Sequence, residues 1–304
     1  MLKQASPARP SRTTSGLAAI ALAAALWAAG AVVAADMFAA GVEPLVLAEA
    51  RSVVALAGLV FVPAAWRRAS GRAVGAVVAL GACIALVNAA YYIAIDRLPV
   101  AVAVVLQYTA PAMVVGWLSL RAGRRPANDV IGALLPAIAG VVLVTGVVRA
   151  RVVGVDALGV AAGLASGLLF ASYTLIGERV AAVYGPLGGL LRAFAVASAL
   201  WLGWQAPQGW PSELFVASNL WRAVYVGLGA TLAPFLLYVW GIQHVRAERA
   251  AIAATLEPVL AGLIAWGWLG QSLEPSQMAG AALVMLAVVL IQRARPGLAQ
   301  VPEV

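Results

Sequence analysis

The residues able to do chemistry in this 304-residue chain are few, and they stand inside apolar surroundings. Glu257 lies well within the stretch from Ala247 to Trp268. A charged side chain at the centre of a bilayer costs about 2.5 kcal/mol or more, so such a group turns towards protein or a cavity. A carboxyl there suits a proton or the amine of a substrate; the plainer reading is a hydrogen-bonded Glu that fixes a kink beside Pro258. Arg51 and Arg192 are the matching cations. A guanidinium stays charged, so each needs a carboxylate, carbonyls or the interface. One reading is capture of a substrate carboxylate. The simpler one is snorkelling, or pairing with Glu49 or Glu257, because both arginines stand near the start of their segments. Trp27, Tyr91, Tyr92, Tyr108, Phe170, Tyr173 and Trp240 fall deep in apolar runs. With the polar handles Asn88, Gln107 and Glu257 they form a candidate substrate-binding set for a small amphipathic metabolite, packing being the alternative for any one of them. Pro111 and Pro258 are candidate kinks or hinges.

Nothing resembles a catalytic constellation. There is no glycine loop followed by Lys-Ser/Thr, and one His and one Cys leave no transition-metal set. The expectation is a chain that is not an enzyme and carries no metal or other cofactor. Cys83 reads as a small apolar packing residue.

These groups must be positioned by membrane elements. Hydrophobic residues make up 63% and charged residues 11% of the chain, against roughly 45–50% and 25% in soluble domains. Long runs free of Lys, Arg, Asp and Glu recur, among them Leu17–Ala35, Ala73–Ile95, Leu98–Leu120 and Ala157–Gly177. A span needs about 20 mainly apolar residues, and lipid obliges those spans to be helices. Together with Pro44–Trp66 and Ala247–Trp268, which carry internal charge, the count is ten.

The spans fall into two copies of one unit. Tyr91…Pro111 is matched 147 positions later by Tyr238…Pro258, with Ala103 on Ala250 and Gly123 on Gly270. Arg51 finds Arg192, and Trp27 finds Phe170, at slightly shorter offsets. Five spans per unit is an odd number, so the second copy must enter from the opposite side. An inverted repeat puts a binding site at the repeat interface near the midplane and supplies alternating access. The predicted fold is therefore all-α and polytopic, with ten transmembrane helices in two inverted five-helix repeats. Residues 1–15 are expected to be a disordered cytoplasmic N-terminus, 16–148 the first repeat, 149–293 the second and 294–304 a cytoplasmic tail.

The net charge of +8 sorts by side rather than clustering. Alternating the ten spans places fourteen basic residues on one set of connections and four (Arg97, Arg149, Arg151 and Arg222) on the other. That positive-inside bias puts both termini in the cytoplasm and argues against nucleic acid as a partner. The 19-residue run Leu17–Ala35 is longer than the roughly 7–15 residues of a signal-peptide core, and it is read as the first membrane helix. The overlapping small-residue patterns at Gly159, Gly163 and Gly167 would seal helices within one chain or between subunits.

The pattern Tyr91…Ala94-Ile95…Leu98-Pro99-Val100-Ala101…Leu106-Gln107-Tyr108-Thr109-Ala110-Pro111 resembles the third and fourth helices of EamA-type drug/metabolite transporters. Leu256-Glu257-Pro258…Trp266-Gly267-Trp268-Leu269-Gly270-Gln271…Gly280-Ala281-Ala282-Leu283 resembles their ninth and tenth. The likeness covers about residues 16–293. Gln271 departs from it, standing where an acid often follows the glycine. The resemblance implies a ten-helix carrier of a bacterial-type inner (plasma) membrane that exports amino acids or related metabolites, with YddG-like aromatic amino acid exporters among its members. The implied partners are a small-molecule substrate and the lipid bilayer, with proton coupling as an option, in a monomer or weak homodimer. Export of another metabolite or drug, an intramembrane lipid-handling protein and a channel are the competing readings.

Overall fold

The computed structural model describes residues 12–67, 69–121, 128–145, 156–245, 250 and 253–293. The ten expected spans are ten helices, and the described residues contain no strand. They are α1 (Arg12–Ala39), α2 (Pro44–Val60), α3 (Val74–Arg97), α4 in two pieces (Val100–Gln107 and Ala110–Arg121) and α5 (Asn128–Val144). The second set is α6 (Ala157–Tyr184), α7 (Pro186–Gln205), α8 (Ala217–Gly241), α9 (Leu256–Leu269) and α10 (Pro275–Arg293). Helices α1, α3, α6, α7 and α8 are each long and apolar enough to cross a membrane; the apolar runs of the others are shorter or interrupted. The tail expected before residue 16 is partly helix, because α1 already begins at Arg12. Residues 1–11, the tail from 294, and Arg68, Arg124, Arg125, Arg149, Arg151, Arg246, Arg249 and Arg295 lie outside the described residues.

Local chemistry sets the boundaries. The Asp156 side chain accepts from the Gly159 amide at 2.7 Å and caps α6, satisfying one of the free donors at a helix start. That bond, and then Arg97 at 3.2 Å, hold the Asp156 carboxyl below its ordinary range. Gly185 at φ +71° makes the one-residue turn into α7, whose first residue is Pro186. Gly270 at φ +66° ends α9. Both conformations favour glycine.

Exchanging each helix for its counterpart five places on reproduces the packing. Helix α3 packs on α6 as α8 packs on α1; α4 packs on α6 as α9 packs on α1; α3 packs on α7 as α8 packs on α2. Helix α5 meets its own counterpart α10, and α2 meets α7. The molecule is thus two inverted five-helix repeats about a pseudo-twofold axis. The α5–α10 contact is backbone to backbone: a Cβ on Gly140 would lie 2.7 Å from the Gly280 carbonyl oxygen, and one on Gly280 2.7 Å from that of Gly140. The Gly159, Gly163 and Gly167 stripe faces Leu98, Leu106 and Thr109, so it closes α6 onto α3 and α4 within the chain. The first half of α4 is buried on every face from Val100 to Leu106, as a helix apolar all round should be. The cavity is reached from α4 only beyond this stretch, at Gln107, Tyr108, Ala110 and Pro111.

Candidate functional site

Both prolines sit at a break in a central helix. Proline removes the donor that would serve the carbonyl four residues earlier, here those of Gln107 and Ala254. In the first repeat the chain turns through Tyr108 and Thr109, where the Thr109 hydroxyl and amide both donate to the Leu106 carbonyl, at 2.6 and 3.2 Å. Gly167 of α6 packs closely onto the Leu106 and Gln107 carbonyls, where a Cβ would come within 3.1 and 3.3 Å of their oxygens. In the second repeat the turn comes at Thr255. There the freed Ala254 carbonyl oxygen lies 2.8 Å from the Tyr108 hydroxyl, brought from the other repeat. The same hydroxyl is 2.9 Å from Glu257 Oε2. Glu257 occupies the position that Ala110 holds in the first repeat, 147 residues earlier.

These kinks border a cavity of about 550 Å³. Trp27, Tyr91, Tyr92, Tyr108, Phe170 and Tyr173 line it, as do Asn88, Gln107, Glu257 and Pro111. Trp27 packs edge-on against Phe235 at 5.6 Å and lies beside Tyr238 at 5.8 Å; Phe170 stacks on Tyr173 at 5.5 Å. The cavity runs from mid-span towards the end of the bundle that holds the α6–α7 turn and the end of α8, reaching Ala181, Pro186 and Ile242. Towards the opposite end stand two ion pairs, Arg97–Asp156 at 3.2 Å and Asp36–Arg222 at 3.1 Å. They join α3 to the start of α6 and α1 to α8, which are symmetry-related pairs.

Arg51 also faces the cavity. Its Nε donates to Thr231 Oγ1 at 2.7 Å, and Thr231 Oγ1 donates to the Val226 carbonyl, also at 2.7 Å. Tyr92 is at the edge of contact, 3.4 Å from Nη1, with its ring 5.6 Å from the guanidinium carbon. Thr231 reaches this place because residues Tyr225–Leu232 of α8 form a π-helix, a local widening common at functional sites. Among the described residues neither Glu49 nor Glu257 forms an ion pair with Arg51, so the guanidinium is held by neutral groups and its charge is left to the cavity. The repeat mate behaves otherwise. Arg192 Nη1 donates back to the Gly188 carbonyl at 2.9 Å, and its guanidinium lies 4.4 Å over the Tyr184 ring.

A central cavity at the interface of inverted repeats, with kinked helices at its edge, is a carrier's arrangement. The sequence profile of the EamA-like transporter family matches residues 14–146 and again 157–293. This chain belongs to the EamA-like transporter family. Two matches fall on the two structural repeats, and the protein is a multi-pass membrane transporter. It is 29% identical over 217 residues to the uncharacterized transporter YwfM of Bacillus subtilis, covering 70% of this chain and 71% of that one. It is 27% identical over 210 residues to the threonine/homoserine exporter RhtA of Escherichia coli K12, covering 66% and 65%. One solved crystal structure superposes with a TM-score of 0.57 at 21% identity, over 93% of this chain and 98% of that one, a likeness of fold.

The structure of the transporter revises several expectations. Trp240 does not line the cavity: it is 44% exposed, and its ring lies 4.5 Å from that of His244. An α-helix rotates about 100° per residue, so side chains two positions apart point roughly 200° apart, and it is Tyr238, two positions earlier, that faces inward. Pro258 is buried but stands behind Glu257, outside the lining. Trp201, near the end of α7 where tryptophan often anchors in the membrane interface, is instead buried beside Trp204, at 5.6 Å. Trp66, Trp210, Trp221 and Trp268 are exposed at helix ends as anchors should be. Gln271, where the family pattern often has an acid, accepts from the Val100 amide at 2.9 Å and so caps α4. Sequence reasoning missed Tyr238, Phe235, Phe194 and Thr231. Tyr238 was findable as the repeat mate of Tyr91; Thr231 was not, since it depends on the π-helix.

Proposed function

We propose that this transporter exports a small zwitterionic metabolite, an amino acid with an aromatic or neutral side chain, by alternating access through the central cavity. The observation that carries the reading is the pairing, in one aromatic-walled cavity, of a guanidinium held among the described residues by neutral groups and a carboxyl from the other repeat. Arg51 would take the substrate carboxylate, Glu257 or its neighbourhood the amino end, and Trp27, Tyr91, Phe170 and Tyr173 the side chain. Charge-assisted hydrogen bonds of this kind contribute about 1.5–3 kcal/mol each, enough to orient a small ligand. The family and the threonine/homoserine exporter among the relatives favour the amino acid over other metabolites or drugs. The basic bias of one set of connections favours a bacterial-type inner membrane with both termini in the cytoplasm. On that orientation the cavity opens to the cytoplasm and the two ion pairs close the outer side, a state ready to load an export substrate. Counterflow into proteoliposomes loaded with unlabelled amino acid tests the reading. Saturable uptake of labelled phenylalanine, threonine or another neutral amino acid is expected. Absence of counterflow with every amino acid, from folded protein, would redirect the assignment to another metabolite.

A further inference from the structure

The Tyr108 hydroxyl stands between two acceptors, the Ala254 carbonyl at 2.8 Å and Glu257 Oε2 at 2.9 Å. Ala254 can only accept, and its helical donor is missing because residue 258 is proline. A phenol carries one proton, so two full hydrogen bonds at this oxygen require a second. We propose that the Glu257 carboxyl is a proton-binding site whose occupancy is read by the α9 kink through Tyr108 and the Ala254 carbonyl. With the proton bound, Glu257 O–H donates to the Tyr108 oxygen, and Tyr108 O–H donates to the Ala254 carbonyl; every group is satisfied. When the proton leaves to the cavity, the carboxylate attracts the one phenolic hydrogen and the Ala254 carbonyl loses its donor. An unsatisfied carbonyl at this depth has no water of the bilayer to turn to, so α9 must re-form its turn at Thr255 or admit water from the cavity.

The charged and titratable groups that face this carboxyl belong to several helices. They are Tyr108 of α4, Tyr91 of α3, Arg51 of α2 and Tyr238 of α8, which borders the same cavity. From α1, packed along α9, the cavity side presents Trp27, and the helix's carboxylate, Asp36, is engaged with Arg222 at the far end. Among the described residues Glu257 is thus the one carboxyl lining the cavity. The inference deepens the export reading by naming a second ligand, and it rests on that reading only for its purpose, not for its chemistry.

Infrared difference spectroscopy of the purified protein in lipid vesicles, stepped in pH, tests it without any substrate. A carbonyl stretch of a protonated carboxylic acid is expected at neutral pH, lost in Glu257→Gln and moved to a weaker hydrogen-bonding position in Tyr108→Phe. Glu257→Asp, which keeps the acid, should retain a shifted band should the amide variant fail to fold. A wild-type spectrum with no protonated-acid band near neutrality, or a band indifferent to both Glu257 and Tyr108 variants, would overturn the proposal. If the band behaves as expected while no amino acid gives counterflow, the substrate reading falls and the proton site stands.

Discussion

The two repeats share a scaffold and divide the chemistry. Arg51 and Arg192 occupy matching positions, yet the first turns into the cavity and the second folds back onto its own helix. Pro111 and Pro258 break matching helices, yet one freed carbonyl is covered by a glycine and the other is served by a tyrosine from across the interface. The carboxyl at position 257 stands where the first repeat has the methyl group of Ala110. A pseudo-symmetric fold needs small residues and kinks in both halves, because these determine how the helices fit. A binding site for a small asymmetric molecule needs different groups on its two sides. On the proposed reading, Arg51 and Glu257 supply those two sides.

That comparison can be broken experimentally. Tyr108→Phe should have the largest effect on folding, because it strands the Ala254 carbonyl and the Glu257 carboxyl together. A buried polar group left unsatisfied costs about 1–3 kcal/mol, read as a lower thermal midpoint in detergent. Thr109→Val, confined to one helix turn, should cost clearly less. Gly140→Ala and Gly280→Ala sharpen the symmetric side of the comparison. Gly140→Ala puts a methyl group 2.7 Å from the Gly280 carbonyl oxygen, and Gly280→Ala puts one 2.7 Å from that of Gly140 and closer still to the Val144 amide nitrogen; overpacking costs about 1–3 kcal/mol. Both should destabilise, Gly280→Ala the more because its methyl meets only backbone, whereas Gly267→Ala, with nothing within 4 Å, should be tolerated. Thr231→Val removes the hydroxyl that accepts from the Arg51 guanidinium, a bond with a charged donor worth about 1.5–3 kcal/mol; transport should weaken at least severalfold. The smallest effect belongs to the Asp156 cap. Its carboxyl is held below the ordinary value of 3.8, so its contribution is present above that pH and lost as pH falls through the lowered one. Asp156→Ala should lower the thermal midpoint slightly at neutral pH, and the difference from wild type should vanish in strong acid.

Much of the scaffold could be read from the residues. Charge-free runs and the 147-residue offset yielded the spans and the repeat, because hydrocarbon leaves the backbone few options. The offset also located the prolines, and of the ten candidate binding residues, chosen by their depth in the apolar runs, nine lie on the cavity wall. Trp240 failed because apolar helices in lipid carry aromatics on every face, so composition does not tell inward from outward; Tyr238 was the inward one. For Arg51, the distance to the helix start favoured snorkelling or pairing with Glu49 or Glu257 over capture of a substrate carboxylate. What overrode that reading is the π-helix of α8, which delivers the Thr231 hydroxyl to the guanidinium. Such a bulge leaves no period in the sequence and appears only once the helices are packed. The bond from Tyr108 to Ala254 was hidden for a related reason. It joins residues 146 positions apart through a carbonyl, and backbone atoms have no letter in the code.

The most direct test of a symmetric scaffold with an asymmetric site is amino acid counterflow in proteoliposomes with Arg51→Gln and Arg192→Gln side by side. Loss of a charge-assisted contact of about 1.5–3 kcal/mol corresponds to roughly a tenfold to hundredfold weaker substrate affinity. That loss is expected for Arg51→Gln alone, with Arg192→Gln transporting close to the wild-type rate from protein equally well folded. Equal loss in both variants, or full transport by Arg51→Gln, would contradict the division of roles between the repeats.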